Sequence, residues 1–284
     1  MKKLILASFL SLINLFAFEL SHTKIENANT VLIQLSKDNI SDIKLTFDKQ
    51  NINFLKNPFK ENSYYALLPI SYYQNFQNYR VIFSYIENNK KIFKGLDLKV
   101  IDGNYKSEVI NVKPSNLKPN EKNKQRVKAE YEEAMKVYNS ITPEIFWNEE
   151  FIYPLNSKIT SDFGTKRVYN GELKSYHGGT DFRAEDNTPI IASNSGIVRI
   201  SKNRFYAGNS IVIDHGHGVY SCYFHLNTMN YKEGDFVKKG EVIGLSGSTG
   251  RVTGPHLHFT FRINGIQVDP LQAIEILNRL KNNA

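Results

Sequence analysis

From Phe151 onward the chain alternates short β-type runs with closely spaced glycines, and few folds accommodate that pattern. Ile197-Val-Arg-Ile200, Ser210-Ile-Val-Ile213, Val219 to His225, Glu241 to Leu245 and His256 to Phe261 are the candidate strands. Dense glycine between runs of this length suits an antiparallel β-fold with tight connections. Asp269-Pro270 then opens a short terminal helix through Leu280.

Histidines are distributed unevenly on this framework. Six of the seven lie between residues 177 and 258. They read His177-Gly-Gly-Thr-Asp181, then Tyr223-Phe-His225, then Gly254-Pro-His256-Leu-His258-Phe259, with Asp214-His-Gly-His-Gly218 between. Two neutral imidazoles and one carboxylate make a three-ligand zinc site with an open fourth position, as catalytic zinc requires. Histidines left over beside such a site handle protons. Residues two apart on a strand share a face, so His256 and His258 stand side by side, about 6.5–7 Å apart at the backbone. Gly178 and Gly179 are expected to allow the turn that aims His177 and Asp181 at one point. His215 and His217 repeat the H-x-H spacing, but the glycines around them read as a turn after a strand rather than a second metal site. His22 is read as incidental. Either short motif alone is weak evidence; the two in one segment, together with Gly254-Pro-His-Leu-His-Phe259, are much stronger.

The N-terminal part, residues 18–112, is expected to be a small β-sandwich. Ile43-Lys-Leu-Thr-Phe47 alternates, which places Ile43, Leu45 and Phe47 on one face. Val31-Leu-Ile-Gln-Leu35 is an apolar run, and Tyr79–Ile86 and Lys91–Val100 flank a hairpin at Glu87-Asn-Asn-Lys90. The pairs Tyr64-Tyr65 and Tyr72-Tyr73 read as fillers of strand faces, although aromatic pairs can also stack on sugars. Lys113 to Lys128, with two prolines and many Lys and Asn, is a linker running into a helix from about Glu121 to Ser140. Val127, Tyr131, Ala134 and Tyr138 recur on that helix at core-facing spacing. The expected organisation is a signal peptide at 1–17, an N-terminal β-rich domain at 18–112, a linker and helix at 113–145 and a catalytic domain at 146–284. The fold class is therefore mainly β.

Lys2 and Lys3 precede an apolar run, Leu4 to Phe16, that is too short and too polar for a comfortable membrane span. It reads as a signal peptide, with a retained anchor as the alternative. No membrane span is expected after cleavage, and the expected location is the periplasm. The lone Cys222 leaves no internal disulfide and reads as a small core residue. A net charge of +8, or +6 without Lys2 and Lys3, suits an anionic envelope polymer. No basic stripe with interleaved aromatics supports nucleic acid as a partner. Lys232-Glu-Gly-Asp-Phe-Val-Lys-Lys-Gly240 resembles a turn of biotinyl and lipoyl carriers, but it lacks the Lys–Met tip and is read as structural.

Ser161-Asp-Phe-Gly164, His177-Gly-Gly-Thr-Asp181-Phe-Arg183, Ile213-Asp-His-Gly216, Tyr223-Phe-His-Leu226 and Ser246 through Phe259 occur in the order seen in M23 zinc metallopeptidases of the LytM/lysostaphin type. The resemblance covers about residues 150–272, and the lead-in from Lys113 through Phe151 is similar to Gram-negative members that control cell shape. It implies one Zn2+ per chain held by His177, Asp181 and His258, with His225 and His256 as the catalytic, proton-handling residues. It implies hydrolysis of peptide bonds in peptidoglycan stem peptides or crosslinks, D-Ala–meso-diaminopimelate first, with DD-carboxypeptidase trimming in the same cleft. The alternative is a non-catalytic regulator of another wall hydrolase, which typically lacks metal ligands. Thr260 stands where many relatives carry an acid, and Tyr169 and Tyr176 are the candidates for an oxyanion-assisting tyrosine. A separate domain ahead of the cleft could cover it, bind the wall or act as a scaffold. Oligomeric state is left open.

Overall fold

The computed structural model describes residues 18–110, 121–169 and 172–282. The expected signal peptide and residues 113–120 of the expected linker lie outside them. Among the described residues no helix is long and apolar enough to cross a membrane.

The N-terminal half is a two-sheet sandwich. One sheet runs Phe18–Leu20, Thr30–Ser36, Ser63–Pro69, Leu55–Lys56; the other runs Lys24–Glu26, Lys90–Ile101, Asn78–Glu87, Ile40–Phe47, Gln50–Asn53. Val31, Ile33, Ala66 and Leu68 of the first meet Leu45, Phe47, Val81, Phe83 and Leu98 of the second. Ile43, Leu45 and Phe47 are all buried, as their alternation requires. The hairpin at Glu87–Lys90 turns through Asn88 and Asn89, both at positive φ, the conformation that asparagine tolerates best after glycine.

The strand Thr30–Ser36 is buried on both faces. Val31 and Ile33 enter the sandwich core, whereas Leu32, with Tyr65 and Leu67 of the neighbouring strand, joins the core of the C-terminal half. The run Val31–Leu35 is continuous because neither face meets water. The side chain of Gln272 receives the Thr30 N–H (2.8 Å) and donates to the Thr30 carbonyl (2.9 Å), tying the strand to the terminal helix.

The C-terminal half is built on an antiparallel ten-stranded sheet. Its main path is Ile159–Ser161, Thr180–Arg183, His256–Ile263, Val219–Met229, Gly208–Asp214, Gly196–Arg204, Phe236–Val237. A three-stranded sheet beside it pairs Ser107–Ile110 in parallel with Lys166–Tyr169, which in turn pairs with Glu172–Tyr176. Helix α1 (Glu121–Tyr138) crosses one face of the large sheet, and helix α2 (Pro270–Asn282) closes the chain. Asp269 caps α2, receiving the N–H groups of Leu271 (2.9 Å) and Gln272 (3.3 Å).

Ala134 and Tyr138 of α1 pack on Ile200, Val212, Tyr220 and Cys222. Tyr131 departs from the expected core face and is 63% exposed. Val127, Tyr131, Met135 and Tyr138 of α1 instead line a groove of about 330 Å³ between the helix and the sheet. Cys222 is fully buried, and burial pushes its thiol up to about 11.

Candidate metal centre

The antiparallel pairing of Thr180–Arg183 with His256–Ile263 sets Asp181 directly opposite His258 and Arg183 opposite His256. Directly opposed residues share a face, so the register alone brings the carboxylate and the imidazole together. His177 enters from the loop before Thr180. His177 Nε2 lies 3.0 Å from Asp181 Oδ1 and 3.0 Å from His258 Nδ1, and His258 Nδ1 lies 2.8 Å from Asp181 Oδ1. Three metal-ligating atoms thus lie within 4.8 Å of one another.

The surroundings fix which nitrogen of each ring is available. His177 Nδ1 donates to the Asp162 carbonyl (2.9 Å), which leaves the Nε2 lone pair facing the cluster. His225 Nδ1 donates to the Thr249 carbonyl (2.8 Å) and His256 Nδ1 to the Gly254 carbonyl (2.9 Å), so each keeps a free Nε2. His256 Nε2 stands 3.8 Å from Asp181 Oδ1, and the ring centroids of His225 and His256 are 5.0 Å apart. Burial alone would raise the Asp181 pKa, but the adjoining rings of His177 and His258 hold its carboxyl well below the usual range. Burial pulls His225 down to about 4, against the Thr249 carbonyl, which favours the charged form. Neutral imidazoles around an ionised carboxylate are what a divalent cation requires, and a cation at the centre satisfies all three groups together. The residues present therefore fit a metal.

A β-bulge brings His225 to this face. On a regular strand Phe224 would face His258 and His225 would point away. The pairing of Val219–Met229 with Gly208–Asp214 slips between Asn209 and Ile211, and His225 takes φ +63°. The extra residue turns the imidazole toward His256 while Phe224 still stacks on His258 (5.7 Å, 11°). A non-glycine residue held at positive φ costs on the order of 1–3 kcal/mol and recurs at functional sites.

Gly178 and Gly179 act differently from expectation. Neither has positive φ. They leave room: a Cβ on Gly179 would sit 2.6 Å from the Phe259 carbonyl and 2.7 Å from His258 Nε2. One on Gly178 would sit 2.5 Å from Gln267 Nε2, whose amide bonds the Gly178 carbonyl and Thr260 Oγ1 (3.0 Å). Thr260 thus steadies the His177 loop through Gln267.

The remaining sequence candidates lie elsewhere. His215 is buried between the Ser195 carbonyl (2.8 Å) and Ser221 Oγ (2.7 Å). His217 bonds Tyr65 Oη (2.6 Å) and the Pro143 carbonyl (2.9 Å), and His22 touches Ser21. The side chain of Tyr169 lies outside the described residues. Tyr176 is stacked face to face on Tyr72 (3.7 Å, 4°).

Tyr72 does not fill a strand face as expected, because its loop leaves the sandwich to lie against the site. Its hydroxyl donates to the Gly164 carbonyl (2.9 Å), and the Gly164 N–H donates to the His177 carbonyl (2.8 Å). The N-terminal half therefore braces the loop that carries His177. No signal in the sequence linked Tyr72 to Gly164.

Residues 175–270 match the model of peptidase family M23. The chain carries a peptidase M23 domain, and its C-terminal half has the mainly β fold of that family. It is 42% identical over 124 residues to the peptidoglycan DD-endopeptidase ShyA of Vibrio cholerae, across 43% of this chain and 29% of that protein. It is 41% identical over 115 residues to the DD-carboxypeptidase/endopeptidase Mpg of Neisseria meningitidis, across 40% of this chain and 26% of that protein. The chain thus spans less than a third of the length of these relatives. A crystal structure from Pseudomonas aeruginosa, described as a peptidase M23, is similar in fold (TM-score 0.64, 21% identity, 86% of this chain and 92% of that one).

Proposed function

We propose that this protein is a zinc-dependent peptidoglycan hydrolase of the periplasm that cuts peptide bonds in stem peptides or their crosslinks. The observation that carries the reading is the convergence of His177 Nε2, Asp181 Oδ1 and His258 Nδ1 beside two further imidazoles. The relatives named as DD-endopeptidases support the substrate class. The D-Ala–meso-diaminopimelate crosslink is the proposed first target, with carboxypeptidase trimming as a second activity of the same cleft.

His177, Asp181 and His258 hold the zinc in this reading. A zinc ion there supplies Lewis-acid polarisation of the scissile carbonyl and makes a water more acidic. His256 and His225 do the proton work. Each anchors its Nδ1–H on a carbonyl, so each presents a basic Nε2 on the side of Asp181 or of its partner ring. One accepts the proton of the attacking water, and the pair returns it to the leaving amine. The low pKa of His225 suits a ring that is neutral at the start of the reaction. The division into an N-terminal domain (18–112), a linker and helix (113–145) and a catalytic domain (146–284) belongs to the same proposal, with the N-terminal domain as the brace of the His177 loop.

Digestion of purified peptidoglycan followed by mass analysis tests the reading. Crosslinked dimers should fall and monomers rise, and chelation should stop both changes. An unchanged muropeptide profile with metal-loaded protein overturns it.

A further inference from the structure

The groove beneath α1 opens beside the metal centre and carries unpaired positive charge. On the strand His256–Ile263, alternate residues place His256, His258, Thr260 and Arg262 on one face. Phe224, stacked on His258, and Gln267, bonded to the Gly178 carbonyl, line the groove with Tyr206, Arg204 and Arg262, and Tyr131 lines it from the helix. Arg262 donates to the Gly265 carbonyl (2.8 Å) and lies over the Tyr138 ring (4.4 Å). Arg204 donates to the Glu130 carbonyl, and its Nε is buried with no hydrogen-bond partner. Among the described residues neither guanidinium is in an ion pair with a carboxylate. Glu130, the acid in the wall, is paired with Arg126 (2.6 Å) and receives the Phe205 N–H (2.9 Å).

Two arginines that line an aromatic groove and have no carboxylate partner form a receptor for a carboxylate. The four steps from His258 to Arg262 cover about 13 Å of strand, so an extended peptide across the site reaches the groove within roughly four residues of the attacked bond.

We propose that this groove is a specificity subsite that binds a free carboxylate of the peptide substrate between Arg204 and Arg262. The proposal rests on the peptidase reading and adds the chemical class that the cleft selects. Stem peptides carry carboxylates both on a side chain and at the C-terminus, and either one supplies the required chemistry.

The test uses the full chain, stripped of metal so that nothing is cleaved, and calorimetric titration with three forms of one stem tetrapeptide. One form has every carboxylate free, one is amidated at the C-terminus and one has its side-chain carboxylates amidated. The free acid should bind about tenfold or more tighter than one of the two amides, and that amide identifies the carboxylate recognised. In Arg262→Met and Arg204→Met the difference should shrink to about twofold or less, while Arg262→Lys should keep part of it. Unchanged thermal unfolding of the variants separates this result from misfolding. Equal binding of acid and amides to the parent overturns the proposal, as does discrimination that survives both methionine variants. Cleavage is read separately on metal-loaded protein. Acid-selective binding without cleavage would remove the peptidase reading and leave the subsite, whereas cleavage of acid and amide alike, with equal binding, would remove the subsite and leave the peptidase.

Discussion

His256-Leu-His258 and His215-Gly-His217 share a spacing and meet opposite fates. The first pair lies on a strand, so both rings share a face and meet Asp181 across the register. The second lies in a turn in which Gly216, His217 and Gly218 all have positive φ, and its rings diverge. His215 goes into the core against Ser195 and Ser221, and His217 reaches across to Tyr65 of the N-terminal half. Backbone conformation therefore decides whether an H-x-H motif gathers ligands or anchors a fold. The same residue type converges on a candidate metal centre in one place and joins the two halves of the chain in the other.

The largest expected separation between the two motifs is in turnover. His256→Ala and His225→Ala should each lower kcat by about 10²–10⁴-fold, measured by release of a labelled stem peptide, with metal content unchanged. His215→Asn should leave kcat within a few-fold of the parent and lower stability instead. Equal loss of kcat in both classes would erase the distinction drawn here.

The second separation is in pH. Burial pulls His215 down to about 4 from an ordinary value near 6.5, so the folded chain keeps this ring neutral while the unfolded chain protonates it. Its contribution is complete above pH 6.5 and is lost as pH falls toward 4, roughly 3 kcal/mol in total. Urea unfolding of the parent between pH 7 and 4 should show this decline, and His215→Asn should flatten it. His217, also lowered by burial, adds in the same direction. An equally steep decline in the variant would remove His215 as the cause.

The smallest effect concerns the brace. Tyr72→Ala should weaken zinc affinity, read by chelator competition, by about tenfold, at the low end of what outer-sphere supports contribute. Tyr72→Phe, which keeps the stack on Tyr176 and loses the bond to Gly164, should lie between parent and alanine. Unchanged affinity in both would show that the N-terminal half does not support the His177 loop.

Much of the site was legible because it rests on periodicity and local motif. His256 and His258 follow from strand alternation, which also reaches Arg262, and Asp181 follows with His177 from the motif His177-Gly-Gly-Thr-Asp181. The bulge at His225 was not legible: no glycine or proline marks it, and the cost of positive φ is carried by tertiary packing. The double burial of Val31–Leu35 was visible as an apolar run, but its second partner, the C-terminal core, lies more than a hundred residues away. Tyr72 and Tyr131 depart from the expected core faces for a related reason. Each belongs to an aromatic pattern that ordinarily faces a core, and each lies where its element leaves the core for the edge of the cleft.

The central claim is that His177, Asp181 and His258 form the metal centre and that the second H-x-H pair does not. Metal content per folded chain, measured by mass spectrometry after equilibration with zinc, tests it most directly. One zinc should remain in the parent and in a His215→Asn/His217→Asn double variant, and close to none in His258→Ala. A full complement of zinc in His258→Ala, or its loss in the double variant while the protein stays folded, would contradict the account.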